Sequence, residues 1–347
     1  MDPRAVHLLL AVRSERWSMG AHIVLTQPIH ADQLERLRAG GHRVTALESP
    51  RGLSAAELAD ACRTADVLIC QLTDQVERRV FETTSLSHVA TVSAGHEHVD
   101  IAAAAEHGVL VTHTPGVLTD ATADLALALI LAVTRHLLWG DRAVRRQSGG
   151  PWRLLHEPMG LDLSGATLGI VGMGRIGHAT ALRAHRGFGM KIVYTARRPH
   201  AAAEADLGAV RLEPERLLAA ADVVSLHAPA TAETRHFLNT ATLALMKPSA
   251  VVINTARGSL IDEPALGRAL QRGVIAGAGL DVLENEPAAH PELLAAGDRV
   301  VLTPHVGSAT ARTRRAMAAM AVDDVLAFLA QEAPAHPVPG TGRKPPR

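Results

Sequence analysis

Short apolar runs alternate with Ala- and Leu-rich stretches of helical character along most of the chain. In the first third they predict buried strands at 23–25, 44–47, 67–70, 89–92 and 109–112. A second series of predicted strands follows at 167–171, 191–194, 223–226, 251–253, 277–281 and 299–302. Helix-like stretches, such as 31–39 and 55–64, lie between most of these strands. The alternation is typical of parallel strands joined by crossover helices, so it predicts an α/β fold with two doubly wound parallel sheets and a cleft between them.

One long helix is predicted between the two series of strands. Thr119 and Asp120 can cap its first turn, the run at 125–133 supplies apolar positions, and Ser148-Gly149-Gly150 ends it. A last helix is predicted at 309–330. The Pro-rich tail at 333–347 and the first 20 residues show no such pattern, and we expect both to be flexible.

Charge and composition narrow the class of protein. The 35 Lys and Arg residues balance 35 Asp and Glu residues, so the chain has no overall attraction to nucleic acid or to an anionic membrane. A hydrophobic fraction of 47% excludes a disordered chain. No apolar run approaches the roughly 20 residues that cross a bilayer, and two cysteines are too few for a disulfide framework. We therefore expect a soluble, cytoplasmic protein that binds neither nucleic acid nor membrane.

A glycine-rich turn follows the strand predicted at 167–171. It reads Gly172-Met173-Gly174-Arg175-Ile176-Gly177, and a helix-like stretch begins directly after it. At this spacing the first glycine allows the tight bend, the second leaves room for a pyrophosphate, and the third lets the helix approach the strand. The N–H groups of the first helical turn then face the phosphates. The glycines alone would be weak evidence, but a strand, a turn and a helix in this order predict a dinucleotide-binding site.

The end of the following strand bears on which dinucleotide binds. An acidic residue about 20 residues after the glycines would hold the ribose 2′-hydroxyl of NADH and repel a 2′-phosphate. Here the strand at 191–194 leads into Thr195-Ala196-Arg197-Arg198, which contains no carboxylate. Two arginines can bind a phosphate through charge-assisted, bidentate hydrogen bonds, so the sequence favours NADPH, with NADH as the alternative. Arg197 and Arg198 could instead be a solvated pair in a surface loop.

Three polar residues of complementary chemistry fall at or just beyond strand ends. Arg257 follows the strand at 251–253, Glu286 follows the strand at 277–281, and His305 follows the strand at 299–302. Ligands of open α/β sheets bind outside the carboxyl ends of the strands, so these side chains are candidates for one site. Singly, each has an ordinary structural role open to it, such as an ion pair between Arg257 and Glu284.

Together the three residues suit the reduction of a 2-keto acid. Hydride that arrives at a keto carbon leaves negative charge on oxygen, and His305 can deliver the balancing proton near neutral pH. Glu286 can orient the imidazole and favour its protonated form. Arg257 can polarise the carbonyl and bind the substrate carboxylate. No metal set is expected, because the histidines are scattered and none of these steps needs a metal.

These segments resemble the D-isomer-specific 2-hydroxyacid dehydrogenase family and, within it, the glyoxylate/hydroxypyruvate reductases most closely. The resemblance runs from about residue 22 to 330. Its most specific stretches are Val92-Ser93-Ala94-Gly95, 114–124, 172–177, Asn254-Thr255-Ala256-Arg257-Gly258, 276–282 and 303–310.

The resemblance implies a substrate domain, flavodoxin-like in topology, at 21–117 and 309–332, and a Rossmann dinucleotide-binding domain at 118–308. It implies that Arg257, Glu286 and His305 are catalytic and that backbone N–H groups at Ala94 and Gly95 bind the substrate carboxylate. The region at 119–165 would carry a homodimer interface. Beyond the glycine-rich turn, with its Arg175 and Ile176, the implied cofactor contacts are Ala196, Arg197, Arg198, Thr255, Ala256, Asp281, His305 and Gly307.

The sequence departs from the family pattern beside the expected carboxylate-binding residues. His96-Glu97-His98 follows Gly95 where the family usually has an aromatic or aliphatic residue and then Asp or Asn, and His113 stands where Asn is usual. His96 and Glu97 either make the pocket more polar or point to solvent.

Two alternative functions also stay open: another dehydrogenase of this fold, such as a phosphite dehydrogenase, and a nucleotide-sensing protein related to transcriptional co-repressors. The absence of a basic DNA-facing surface favours the enzyme.

Overall fold

A computed structural model describes residues 20–49, 51–155 and 158–342. Contacts divide these residues into two compact units. The first unit comprises the described residues up to Leu118 together with those from Thr310 onward, and the second comprises Thr119–Ala309. Each unit contains one parallel sheet and its own buried cores.

The first unit is built on a five-stranded parallel sheet in the order β2-β1-β3-β4-β5. Its strands are β1 (His22–Leu25), β2 (Arg43–Ala46), β3 (Val67–Cys70), β4 (His88–Thr91) and β5 (Leu110–Thr112). Its helices are α1 (Ala31–Ala39), α2 (Ala55–Ala61), α3 (Arg78–Thr83), α4 (Ile101–Glu106) and α13 (Ala311–Leu329). β3 and β4 are buried throughout because they lie in the middle of the sheet. β2 is mostly exposed, so the prediction of a buried strand at 44–47 was wrong; it is an edge strand with one partner.

The tail that follows α13 packs along β5. The Val338 N–H donates to the Val111 carbonyl at 2.8 Å, the Gly342 N–H donates to the Val109 carbonyl at 3.0 Å, and Val338 is 2% exposed. The expectation of a flexible tail is therefore wrong for residues 333–342. β5 is an edge strand, and the backbone groups on its open side need hydrogen-bond partners. The Pro-rich composition of the tail gives no sign that the tail supplies them. Residues 343–347 and 1–19, for which flexibility was also expected, lie outside the described residues.

The second unit is built on a seven-stranded parallel sheet in the order β12-β11-β10-β9-β6-β7-β8. Its strands are β6 (Thr167–Val171), β7 (Lys191–Thr195), β8 (Val210–Arg211), β9 (Val223–Leu226), β10 (Val251–Asn254), β11 (Gly277–Leu280) and β12 (Val300–Leu302). Six of these strands match predicted ones. β8 was missed because it has only two residues, both exposed, at the edge of the sheet.

The helices of the second unit cover this sheet. They are α5 (Thr119–Thr134), α6 (Leu137–Arg145), α7 (Arg175–Phe188), α8 (Ala201–Leu207), α9 (Pro214–Ala220), α10 (Thr240–Leu243), α11 (Glu263–Gln271) and α12 (Pro291–Ala295). Among the described residues, no single helix is long and apolar enough to cross a membrane, although α5 and α6 meet that criterion jointly by length and composition.

The predicted long helix is two helices, α5 and α6, bent by 60°. His136 adopts a left-handed backbone conformation, with φ of 49°, and this interrupts the helical hydrogen bonds. The apolar face of α5 packs on β10 and β11, where Val133 and Leu129 fill the space beside Gly277 and Gly279. The continuous buried face of α5 ends with Thr134, and in α6 Ala143 is the buried residue, so little packing holds the chain beyond Thr134 to the same helix axis.

Candidate active site

The glycine-rich turn joins β6 to α7 in the geometry that its spacing predicts. Gly172 has a φ of +95°, and a Cβ there would lie 2.7 Å from the Ala228 amide nitrogen. A Cβ on Gly177 would lie 2.2 Å from the Gly172 carbonyl oxygen. Both positions therefore require glycine: Gly172 for its backbone conformation, and Gly177 for the contact between helix and turn.

The second glycine of the turn faces open space. A Cβ on Gly174 would meet nothing within 4 Å. Gly174 is the N-cap of the 14-residue helix α7, and the first N–H groups of a helix have no partner within it. Thr255, at the end of β10, contributes a buried hydroxyl without a hydrogen-bond partner among the described residues. An open volume at a helix N-terminus and an unsatisfied hydroxyl fit a bound dinucleotide. Gly174 and the first turn of α7, including Arg175 and Ile176, would hold its pyrophosphate.

The turn after β7 presents two exposed arginines. Arg197 and Arg198 follow Ala196, and the Ala196 carbonyl accepts hydrogen bonds from the guanidinium of Arg211 on β8. Arg197 also lies within electrostatic range of Glu233, the pKa of which is lowered mainly by a hydrogen bond from Thr231 and in part by Arg197. The turn thus carries a concentration of positive charge at the carboxyl end of β7.

His305 and Glu286 form a hydrogen-bonded pair at the carboxyl ends of β12 and β11. His305 Nδ1 lies 2.9 and 3.1 Å from the two carboxylate oxygens of Glu286, and the Leu283 N–H donates to the same carboxylate at 3.1 Å. Burial opposes the ionisation of Glu286. The hydrogen bond and charge of His305, aided by Arg257, outweigh it and hold the pKa of the carboxyl below its usual value. The pair is accessible, since the two side chains are 27% and 32% exposed.

Arg257 is held at the end of β10 by its own strand. Asn254 Nδ2 donates to the Arg257 carbonyl at 2.8 Å, and Asn254 Oδ1 accepts from the Ala256 N–H at 3.0 Å. The next residue, Gly258, packs against the backbone of Leu283, where a Cβ would lie 2.0 Å from the carbonyl carbon. The Arg257 guanidinium donates to the Ala256 carbonyl at 2.6 Å and lies within electrostatic range of Glu286, where its charge helps to lower the pKa of that carboxyl. The structure therefore brings Arg257, Glu286 and His305 together.

Asp281 is buried beneath the loop that carries His305. It is 1% exposed, and its carboxylate accepts hydrogen bonds from the Thr303 hydroxyl, the Val306 N–H and the Gly307 N–H, at 2.6, 2.8 and 2.8 Å. Its backbone carbonyl accepts from the His305 N–H at 2.8 Å. His305 has a φ of 53°, so these bonds hold the loop in a conformation that is uncommon for a residue other than glycine. Asp281 thus fixes the position of His305 in this structure.

Ala94 and Gly95 lie in the first unit, in the loop that follows β4. The Ala94 carbonyl contacts His113 Nδ1 at 2.8 Å, and the Gly95 carbonyl accepts from the Ser93 hydroxyl at 2.6 Å. The ring centroids of His96 and His113 are 5.6 Å apart in an edge-on arrangement. The two departures from the family pattern at positions 96 and 113 therefore contact each other beside the expected carboxylate-binding residues.

Two features of the site were not predicted from the sequence. Asn254 fixes the backbone beside Arg257, and Arg211 fixes the backbone beside Arg197. The sequence offers a sign of such a role for Asn254 alone, because that residue stands at the end of a predicted strand. The sequence also left open an ion pair between Arg257 and Glu284. Glu284 has charged partners on another segment, because its carboxylate accepts from Arg235 and lies against His236 Nε2, at 2.7 and 2.9 Å.

The glycine-rich turn, the sheet order and the residues at the strand ends define a nicotinamide-dinucleotide-binding oxidoreductase. Residues 127–307 match the model of the D-isomer specific 2-hydroxyacid dehydrogenase NAD binding domain. A glyoxylate reductase of Thermococcus litoralis is 46% identical over 290 residues, which cover 82% of this chain and 86% of the relative.

Solved structures agree with this assignment. A Thermus thermophilus protein superposes with a TM-score of 0.82 at 44% identity, covering 91% of this chain and 99% of its own. An NADPH-dependent glyoxylate/hydroxypyruvate reductase from Sinorhizobium meliloti, in complex with NADP and malonate, superposes with a TM-score of 0.80 at 33% identity, covering 95% and 100%. The chain belongs to the D-isomer-specific 2-hydroxyacid dehydrogenase family and is an NAD(P)-dependent oxidoreductase, as the sequence predicted.

Proposed function

We propose that this protein reduces small 2-keto acids to 2-hydroxy acids, with glyoxylate and hydroxypyruvate as the first candidates. The observation that carries the proposal is the His305–Glu286 pair, with Arg257 in electrostatic range, at the carboxyl-end edge of the same parallel sheet whose strand β6 leads into the glycine-rich turn. The glyoxylate reductase relatives support the substrate class.

His305 supplies the proton in this proposal. A bound dinucleotide would supply the hydride to the keto carbon, and the negative charge that develops on the keto oxygen then needs a proton. Glu286 bonds to Nδ1 of His305, so the opposite ring nitrogen, Nε2, is the atom that delivers it. In the reverse direction the same nitrogen takes the proton from the hydroxyl. Glu286 keeps the imidazole oriented in both directions of the reaction, because its carboxylate bonds to Nδ1.

Arg257 and the first unit would bind the substrate in its reactive orientation. The planar guanidinium of Arg257 suits both the keto oxygen and one carboxylate oxygen of a 2-keto acid. We propose that the first unit is the substrate domain and that the N–H groups of Ala94 and Gly95 complete the binding of the carboxylate. The second unit is then the dinucleotide-binding domain, with contacts from Ala256 and Gly307 as well as the turns described above.

NADPH is the proposed cofactor. The turn at 195–198 contains no carboxylate to hold a ribose 2′-hydroxyl, and its two exposed arginines, Arg197 and Arg198, suit a 2′-phosphate. The Sinorhizobium meliloti relative that superposes on this chain is named as NADPH-dependent and was solved with NADP.

A homodimer is also proposed, with a second copy of this chain covering the region at 119–165. Seven large apolar side chains there are at least 40% exposed: Leu137, Leu138, Val144, Trp152, Leu154, Leu155 and Met159. A soluble monomer rarely exposes so many in one segment. Light scattering coupled to size-exclusion chromatography should give about twice the 36.6 kDa chain mass, and a monomer would contradict this part of the proposal.

The test of the proposed reaction is the oxidation of reduced nicotinamide, followed by absorbance, over a panel of 2-keto acids. We expect glyoxylate and hydroxypyruvate to give the highest kcat/KM, and longer or branched 2-keto acids to give lower values. Phosphite with the oxidised dinucleotide serves as the discriminating substrate for the alternative dehydrogenase. Activity with phosphite and none with any 2-keto acid would overturn the proposal, and dinucleotide binding without turnover would favour a nucleotide sensor.

A further inference from the structure

Arg211 fixes the backbone of the turn that follows β7. It lies on the edge strand β8, paired with Tyr194 of β7, and its guanidinium donates two hydrogen bonds to the Ala196 carbonyl. The Nε and Nη2 atoms lie 3.1 and 2.8 Å from that oxygen. A weaker contact of 3.5 Å joins Nη2 to the Arg197 carbonyl. The side chain therefore reaches from the sheet edge across the turn and clamps the peptide that precedes both exposed arginines.

The other end of the same turn is also held by the sheet. The Tyr194 hydroxyl accepts from the His200 N–H at 2.8 Å and donates to Glu204 at 2.5 Å. Tyr194 is fully buried, so this anchor is part of the core of the second unit. Arg211 and Tyr194 thus fix the two ends of the segment at 195–200, at Ala196 and at His200. Arg197 and Arg198 lie between these two fixed points.

We propose that Arg211 is a positioning residue that makes this site selective for a phosphorylated ribose. The proposal rests on the proposed use of NADPH and goes beyond it, because it assigns the selectivity to a residue outside the turn. By fixing the Ala196 carbonyl, Arg211 sets the direction in which Arg197 and Arg198 leave the backbone. It also adds a third permanent positive charge beside the turn.

Charge explains why a phosphate would benefit more than a hydroxyl. The three guanidinium groups around this turn repel each other. Two carboxylates lie near them: Glu233 is within electrostatic range of Arg197, and Glu204 accepts a hydrogen bond from the Tyr194 hydroxyl. A ribose 2′-phosphate carries about two negative charges and accepts several charge-assisted hydrogen bonds, whereas a 2′-hydroxyl carries none. Loss of the clamp should therefore weaken NADP⁺ binding and leave NAD⁺ binding almost unchanged.

Calorimetric titration of the Arg211→Ala variant with NADP⁺ and NAD⁺ tests this inference without relying on turnover. We expect the Kd for NADP⁺ to rise about tenfold and the Kd for NAD⁺ to change less than about threefold. The fragments 2′,5′-ADP and 5′-AMP should show the same split. Arg211→Lys keeps the charge but loses the two-pronged bond, so a positioning role predicts that it also loses most of the NADP⁺ selectivity.

Arg216→Ala is the matched control, because it removes one exposed arginine five residues further along the chain, on α9. It should leave both Kd values unchanged. Equal losses for the two dinucleotides, or no loss for either, in Arg211→Ala would overturn the assignment, as would Arg211→Lys behaving like the wild type. If the wild type binds NAD⁺ more tightly but Arg211→Ala still weakens NADP⁺ alone, the NADPH preference fails and the role of Arg211 stands.

Discussion

His305 Nδ1 and Glu286 Oε2 lie 2.9 Å apart, although 18 residues separate them in the chain. Both residues are held at neighbouring strand ends: Glu286 accepts from the Leu283 N–H, and the His305 loop donates to the carboxylate and the backbone carbonyl of Asp281. The pair is therefore preorganised, and its hydrogen bond determines which imidazole nitrogen faces a substrate. Preorganised groups of this kind lower a barrier because they need no reorganisation during the reaction.

Replacement of His305 by Ala should abolish proton delivery. We expect kcat for 2-keto acid reduction to fall by about 100-fold or more, because general acid catalysis contributes roughly that factor. The Kd for NADPH, measured by fluorescence titration, should stay nearly unchanged. Glu286→Gln keeps the shape of the side chain and removes its charge, so we expect an intermediate loss. A His305→Ala enzyme with full turnover would contradict the assignment of the acid.

Replacement of Gly174 by Val should separate dinucleotide binding from folding. The new side chain would enter open space at the N-terminus of α7, so the protein should fold, while NADPH affinity falls about tenfold or more because the pyrophosphate loses that volume. Thermal unfolding and fluorescence titration measure the two effects.

Gly187→Val is the matched control for Gly174→Val. Gly187 lies near the other end of α7, and a Cβ there also meets nothing within 4 Å. It should bind NADPH normally. Equal affinity in the two variants would argue against the proposed pyrophosphate position.

The double replacement of Arg197 and Arg198 by Ala tests the cofactor preference. The wild type should show a higher kcat/KM with NADPH than with NADH, since two cations attract the 2′-phosphate. The double variant should lose that preference, chiefly through a higher KM for NADPH. A wild-type enzyme that prefers NADH would contradict the proposal, whatever the double variant does.

The C-terminal tail should contribute measurably to stability. Val338 is 2% exposed and belongs to the core of the first unit, so Val338→Ala should cost on the order of 2 kcal/mol in the free energy of unfolding. Pro339→Ala, at the neighbouring exposed position, is the control and should have little effect. Urea denaturation measures both variants. Equal stability of Val338→Ala and the wild type would mean that the tail does not pack on β5.

The buried histidine His88 should make stability depend on pH. It is fully buried in β4, and burial lowers the pKa of its imidazole to about 3, from a usual value of 6.5. Below pH 6.5 the unfolded chain binds a proton that the folded protein excludes. The folded state therefore loses up to about 1.4 kcal/mol per pH unit as the pH falls from 6.5 towards 3.

The matched variant for this prediction is His88→Gln, which can still bond to the Thr112 hydroxyl but does not titrate. Between pH 7 and about pH 5, its free energy of unfolding should fall less steeply than that of the wild type. Parallel curves for the two proteins would show that His88 is protonated in the folded state.

Two determinants of the fold can be identified from the chain itself because they depend on local spacing. The alternation of apolar runs with helical stretches predicted two parallel sheets, and the spacing of Gly172, Gly174 and Gly177 predicted the dinucleotide-binding turn. The residues after the strands at 251–253, 277–281 and 299–302 were predicted to meet because parallel strands end on the same edge of a sheet. The structure places Arg257, Glu286 and His305 together there.

Other features depended on contacts between distant parts of the chain, which local spacing does not encode. The tail at 333–342 is packed because β5 is an edge strand that needs partners. The predicted long helix breaks after Thr134, where the continuous buried face of α5 ends and His136 takes a left-handed conformation. The clamp of Arg211 on Ala196 exists only because β8 pairs with β7. Sequence determined which residues could act, because residue type and spacing set local geometry. Tertiary structure decided which of them are held in place, because that requires partners from other strands.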